Sequence, residues 1–223
     1  LERVVAASNL APPAANTTED LEYRLLSVLA SDSPKLEIVG CDDCSQARRT
    51  ADIIKSFAHD GVRFVQGEPP MERWLAKNQA YDKLYQESSG SFILFCGVDV
   101  RFGPSTIRSM VNVLRSRNKS MLSVLPLRIA GAAQATLLQP MRYWWELALP
   151  RRLFNRPAVL STCWMIERKA LKHLGGFGAV SHAVIPGGFF AWALVKTDGY
   201  GFLHSTAERA VSTVKTLSVQ TSK

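Results

Sequence analysis

The sequence predicts an α/β fold, with a doubly wound, mostly parallel sheet flanked by helices. Three observations carry that expectation. Short apolar runs of strand length alternate with helix-period stretches through the first 125 residues, the pattern left by successive βαβ units. At 223 residues, with 47% hydrophobic and 21% charged side chains, the chain can bury a full core and is too apolar to be disordered. No linker-like stretch interrupts it, so one domain over residues 1–223 is expected.

Residues 3–7 (RVVAA) form a short apolar run read as the first strand, and a loop rich in Pro, Ala and Asn follows it. Asn16 with Glu19 three residues on resembles a capping box. Leu21, Leu25, Leu26, Val28 and Leu29 then keep helical spacing up to a break at residues 32–34. Residues 36–41 (LEIVGC) read as the second strand, and Ala51, Ile54, Phe57 and Ala58 lie along the next helix. Residues 62–65 are the third strand, 74–85 a helix, 92–96 the fourth strand, and 121–125 the fifth. Between the last two, Ile107, Met110, Val111 and Leu114 mark one helical face.

The second half is less regular. Residues 137–149 read as an amphipathic helix ended by Pro150, 159–166 as a strand, 169–174 as a short helix and GGFG as a turn. Residues 189–195 suit a helix leading into a late strand.

In open parallel sheets ligands bind beyond the carboxyl ends of the strands. That singles out the loops after Val5, Cys41 and Cys96. No GxGxxG or GxxxxGK[ST] opens any helix, which disfavours a dinucleotide or P-loop site. The stretch SFILFCGVDVRFGP, residues 91–104, is the most pointed, because a buried strand runs into a lone acid, Asp99.

The formal charge is +8, and between Gln139 and Gly176 seven cations stand against two acids, a net of +5. Tyr143, Trp144, Trp145, Phe154 and Trp164 interleave with them. Such mixtures suit an anionic membrane surface, a phosphorylated ligand or nucleic acid; the plainer reading is a solvated face beside a core helix. Cys41 and Cys44 have CxxC spacing, but there is no second CxxC and the four histidines are scattered. Structural cysteines at a strand end are the simpler explanation. Their number fits a reducing compartment, and the expected location is the cytoplasm, with the inner face of a membrane as a second option. No apolar run reaches the length of a membrane span. The start at Leu1, without Met or a signal-like region, reads as a piece of a longer protein.

With these elements in order, the chain resembles a family-2 glycosyltransferase of GT-A fold. The ordered set of motifs carrying the likeness is VVAASN, LEIVGCDDCS, ERWLAKNQAYDKL, GSFILFCGVDVRFGPSTI and STCWMIERKALKHLGGFG. The resemblance implies a nucleotide-binding half over residues 1–127 and an acceptor half over 128–223. It further implies a UDP- or GDP-linked sugar donor, a divalent cation (Mn²⁺ or Mg²⁺), and transfer with inversion to a lipid or polysaccharide hydroxyl. No nucleic-acid partner is expected. By position, Asn9, Asp42, Asp43 and Lys77 match nucleotide-binding positions, and Asp99 matches the last acid of the metal-binding DxD. The plainer alternatives are that Asp42 and Asp43 cap the following helix and that Lys77 lies on a solvated helix face.

The departures fall on acids. Gly97 stands where the family usually has the first Asp of the DxD, Leu10 follows Asn9 where an acid is common, and CSQARR lacks its later acid. Between Phe177 and Lys196, where the family supplies a catalytic acid, there is none, so His182 is the candidate base. Asp198 lies beyond, beside Gly199, where a turn explains it. Two other readings follow: a catalytically impaired relative that binds nucleotide-sugar or a partner, and a basic peripheral membrane-binding module.

Overall fold

The computed structural model describes residues 4–9, 17–33, 35–42, 48–69, 71–97, 100–124, 127–129, 157, 159, 163–197, 199–203 and 217–220. Chain order is β1 (Val4–Asn9), α1 (Thr17–Leu29), β2 (Leu36–Asp42), α2 (Arg48–Ser56), β3 (Val62–Gln66), α3 (Ala76–Glu87), β4 (Phe92–Cys96) and β5 (Val100–Phe102). There follow α4 (Thr106–Ser116), β6 (Met121–Val124), β7 (Leu127–Ile129), β8 (Cys163–Glu167), α5 (Arg168–His173), α6 (Pro186–Val195), β9 (Tyr200–Leu203) and β10 (Leu217–Gln220). Short 3₁₀ turns occupy Ala58–Asp60 and Gly176–Val180.

Seven strands make one sheet in the order β3-β2-β1-β4-β8-β6-β9. The pairs β3–β2, β2–β1, β1–β4 and β6–β9 are parallel, and β8 runs antiparallel to both neighbours. The expected mostly parallel α/β sheet is therefore present. The chain leaves β1 toward β2 and β3, then returns to place β4 on the other side of β1. The boundary between β1 and β4 is thus the switch point where open α/β sheets leave a crevice.

Alternation along the strands divides the core between the two faces. On one side Val4, Ala6, Phe92, Leu94, Cys96, Cys163 and Met165 pack with the apolar faces of α1, α2 and α4. On the other, Val5, Ile93, Phe95, Trp164 and Ile166 pack with α3, α5, the 176–180 turn and α6. This is the period-2 pattern of a sheet covered on both faces. Tyr81, Phe95, Trp164, Phe177 and Phe190 form one aromatic cluster, with Phe95 and Trp164 stacked at 4.4 Å. Each buried ring of this kind contributes about 1.5–3 kcal/mol.

The structure corrects several readings. Trp164, counted above with the basic-aromatic surface, is a core residue. Arg168, counted as surface charge, instead donates to the carbonyls of Gly90 (3.0 Å), Tyr85 (2.9 Å) and Ser88, stapling β8 to the end of α3. The helix expected from Trp74 begins at Ala76, and α6 begins at Pro186 rather than 189, as suits a proline at the first helical position. A second sheet, β5-β10-β7, was not expected at all. Asn16, Cys44 and residues 130–156, including the expected helix over 137–149, lie outside the described residues.

Candidate functional site

The parallel strands β3, β2, β1 and β4 end at Gln66, Asp42, Asn9 and Cys96, all on one edge of the sheet. Register brings the predicted positions together there. Asn9 pairs with Cys41, the residue before Asp42, and Asp42 pairs with Gln66. Ala7 lies opposite Phe95, two residues before Asn9 and Gly97 respectively. Asp43 follows Asp42 directly and Asp99 comes three residues after Cys96, but both lie outside the described residues, as does Asp198.

Helix α3 packs on β1 and β2, on the face that carries the aromatic cluster, and follows the loop that leaves the end of β3. Its first turn holds Lys77, which is half-buried, with Nζ 5.5 Å from the Tyr81 ring centroid one turn on. Burial pushes the Lys77 ammonium below its ordinary pKa, because a desolvated cation is disfavoured. The helix-face reading for Lys77 therefore holds only in part: it lies on α3, but not in full solvent.

The next two residues were quoted above without a role, and they order the surroundings. Asn78 is fully buried, and its Nδ2 donates to the carbonyls of Val180 (2.8 Å), Ser181 (3.1 Å) and Ala183 (2.8 Å). The Leu75 amide adds a fourth link, donating to the Ser181 carbonyl at 3.0 Å. Gln79 Nε2 donates to the Pro69 carbonyl (3.0 Å), while its Oε1 accepts from the Met71 amide (2.7 Å), holding the loop after β3. One helical turn thereby ties down two loops, adding side-chain bonds to the few backbone bonds they make, such as Trp74 N–H to Met71 and Ala183 N–H to Val180. Asn78 Oδ1 is buried without a hydrogen-bond partner.

His182 sits on the loop that Asn78 clamps, flanked by two of its acceptors, and its side chain is exposed. The clamp thus joins the backbone around His182 to the helix turn that carries Lys77. From that loop the chain enters α6, whose first turn is Pro186-Gly187-Gly188. A Cβ at Gly187 would lie 3.2 Å from Val159 Cγ1 and 3.5 Å from Trp164, whereas one at Gly188 would meet only Ile185 at 3.5 Å.

Among the described residues no cluster of three His, Cys, Asp or Glu is placed to hold a metal. Asp99, the position that the resemblance assigns to the metal, lies outside those residues. One carboxylate fits a hard cation that takes its remaining oxygens from substrate phosphates and water.

The model of the family described as Glycosyl transferase family 2 matches residues 13–175. The chain belongs to that family. Among curated proteins no sequence relative is found. Solved structures share the fold at low identity. S. aureus TarS 1-349 is 15% identical with a TM-score of 0.64, covering 98% of this chain and 60% of that one. The mannosyltransferase PcManGT from Pyrobaculum calidifontis, in complex with GDP-Man and Mn²⁺, is 16% identical with a TM-score of 0.62, covering 91% and 54%. Glucosyl-3-phosphoglycerate synthase from Mycobacterium tuberculosis is 17% identical with a TM-score of 0.56, covering 91% and 70%. The chain spans less than two thirds of the TarS and PcManGT structures. The GT-A fold expected from the motifs is thereby shared.

Proposed function

We propose that the chain transfers a sugar from a UDP- or GDP-linked donor to an acceptor hydroxyl, of a lipid or polysaccharide, with inversion. One observation supports this reading most: Asn9 and Asp42, which the resemblance assigns to nucleotide binding, end adjacent strands at the switch-point edge, with the half-buried cation Lys77 in the first turn of the helix that packs on those two strands. Neighbours of the same fold were solved with UDP, UDP-GlcNAc and GDP-Man, which supports a nucleotide-sugar as the donor class.

In this reading Asp42 or Asp43 accepts a hydrogen bond from a nucleobase N–H, and Asn9 contributes to the same pocket. Lys77, poorly hydrated, regains an anionic partner in the diphosphate. Asp99 with the donor phosphates would hold a divalent cation, which neutralises charge on the leaving diphosphate. The acceptor oxygen attacks the anomeric carbon, the bond to the diphosphate oxygen breaks, and the acceptor proton passes to His182. The Asn78 clamp fixes the backbone on either side of that imidazole.

The absence of an acid from Phe177 to Lys196 favours a second reading, donor binding without turnover. Calorimetric titration with UDP and GDP, each with Mn²⁺ and with EDTA, tests the shared part of both. Metal-dependent binding abolished by Asp99→Ala is expected. No binding under any of these conditions would sink the donor-site reading. Hydrolysis or transfer of labelled sugar then separates the two, since a binding-only relative shows metal-dependent affinity and no product.

A further inference from the structure

Helix α6 carries an apolar stripe on the side opposite its core contacts. Gly187, Phe190, Ala191 and Leu194 face the sheet and are buried. Ile185, Phe189 and Trp192, at helical spacing, point outward, flanked by Val195 and by Val184, with Val184 80% and Trp192 45% exposed. Helix α6 itself contains no charged residue. At the end of the stripe, Lys196 Nζ stands 3.7 Å from the Trp192 ring centroid. We propose that this stripe docks on an anionic lipid surface, with the helix lying in the interface and its outer side chains among the acyl–headgroup boundary.

Size and charge select that occupant. The five side chains expose roughly 500 Å², at the upper end of patches found on monomers and short of the ~800 Å² per partner that a stable protein interface buries. A second copy is therefore poorly served by this face. From Arg168 to Thr197 the sequence holds four Lys or Arg and no acid. Lys169, Lys172 and Lys196 are exposed, while Arg168 is occupied by backbone carbonyls. A stretch of chain with exposed lysines and no acid, and a Trp–Lys pair at the end of the stripe, match what anionic headgroups and the boundary beneath them select. The stripe itself holds no residue of the basic-aromatic segment over 139–176. It does not rest on the sugar-transfer reading, because binding requires no nucleotide.

The test is co-sedimentation with vesicles of phosphatidylcholine containing phosphatidylglycerol, against pure phosphatidylcholine, with tryptophan emission read in parallel. Binding to the anionic vesicles, weakened by salt, is expected. Phe189→Glu with Trp192→Glu abolishes it, while Trp192→Phe keeps binding and removes the blue shift. Lys196→Glu, which leaves the apolar stripe intact, lowers the partition coefficient by roughly fivefold or more and serves where the double variant fails to fold. Failure to sediment, sedimentation unchanged by these variants, or a micromolar dimer dispersed by Phe189→Glu in place of vesicle binding would each overturn the proposal.

Discussion

Helices α3 and α6 lie against the same face of the sheet and border the same loop, yet their first turns are built from opposite chemistry. The turn of α3 presents Lys77, Asn78 and Gln79, and its buried amides reach backbone carbonyls in two separate loops. The turn of α6 presents Pro186, Gly187 and Gly188, and what fixes it is contact with Val159 and Trp164. The difference separates a region held by directional bonds, which tolerates almost no change of atom type, from one held by volume. Polar side chains hold the loop from the α3 side, and the first turn of α6 offers none.

The sharpest way to break the first region is Asn78→Ala. It removes three hydrogen bonds, one buried and two partly buried, and leaves their carbonyls to find water, a loss of about 3 kcal/mol in a denaturant melt. Asn78→Asp should cost more, because a carboxylate aimed at three carbonyls donates nothing and adds an unpaired buried charge. If the aspartate variant proves as stable as the parent, the clamp does not depend on the amide donors.

That clamp also marks where reading from sequence stops. Five strands of the first half were legible because their apolar runs are continuous and punctuated, but the runs stop at Ala7 and Cys41, and the structure carries the first two strands on to Asn9 and Asp42. Asn78 was visible as a motif member, but its acceptors lie 102 to 105 residues away, beyond the reach of any local pattern. The second sheet escaped because three- and four-residue strands such as β5 and β7 are too short to show a period. Trp164 and Arg168 were grouped with surface charge because composition carries no direction. The strand they adjoin faces one into the aromatic cluster and lets the other reach carbonyls at the end of α3.

The second region is tested by restoring an acid. Gly187→Asp drives a carboxylate toward Val159 and Trp164 in a buried position and should cost about 1–3 kcal/mol. Gly188→Asp meets ordinary contact only, and an acid in the first turn of a helix is favourable, so stability should change by no more than about 0.5 kcal/mol. Of the two, only position 188 can carry a new acid without disturbing the core. An equal loss at both positions in thermal melts would show that the turn as a whole, rather than the space at Gly187, sets the limit.

The remaining prediction concerns Lys77 and is read by pH. Burial lowers its folded-state value below that of the unfolded chain. Between the two values the unfolded state binds more protons, so this group makes stability rise with pH there; below both, the buried charge is a constant cost. Nucleotide binding has the opposite sign. In the proposed donor site the protonated amine holds the diphosphate, so UDP affinity should fall as pH rises through the lowered value. Lys77→Met should weaken UDP binding roughly tenfold near neutral pH and flatten the alkaline limb. Lys77→Arg should keep a charge that does not titrate in this range and carry the limb out of reach. Were Lys77→Met to bind UDP as the parent does, with the same alkaline limb, the lysine would belong to the helix surface, and the donor side would rest on the strand ends alone.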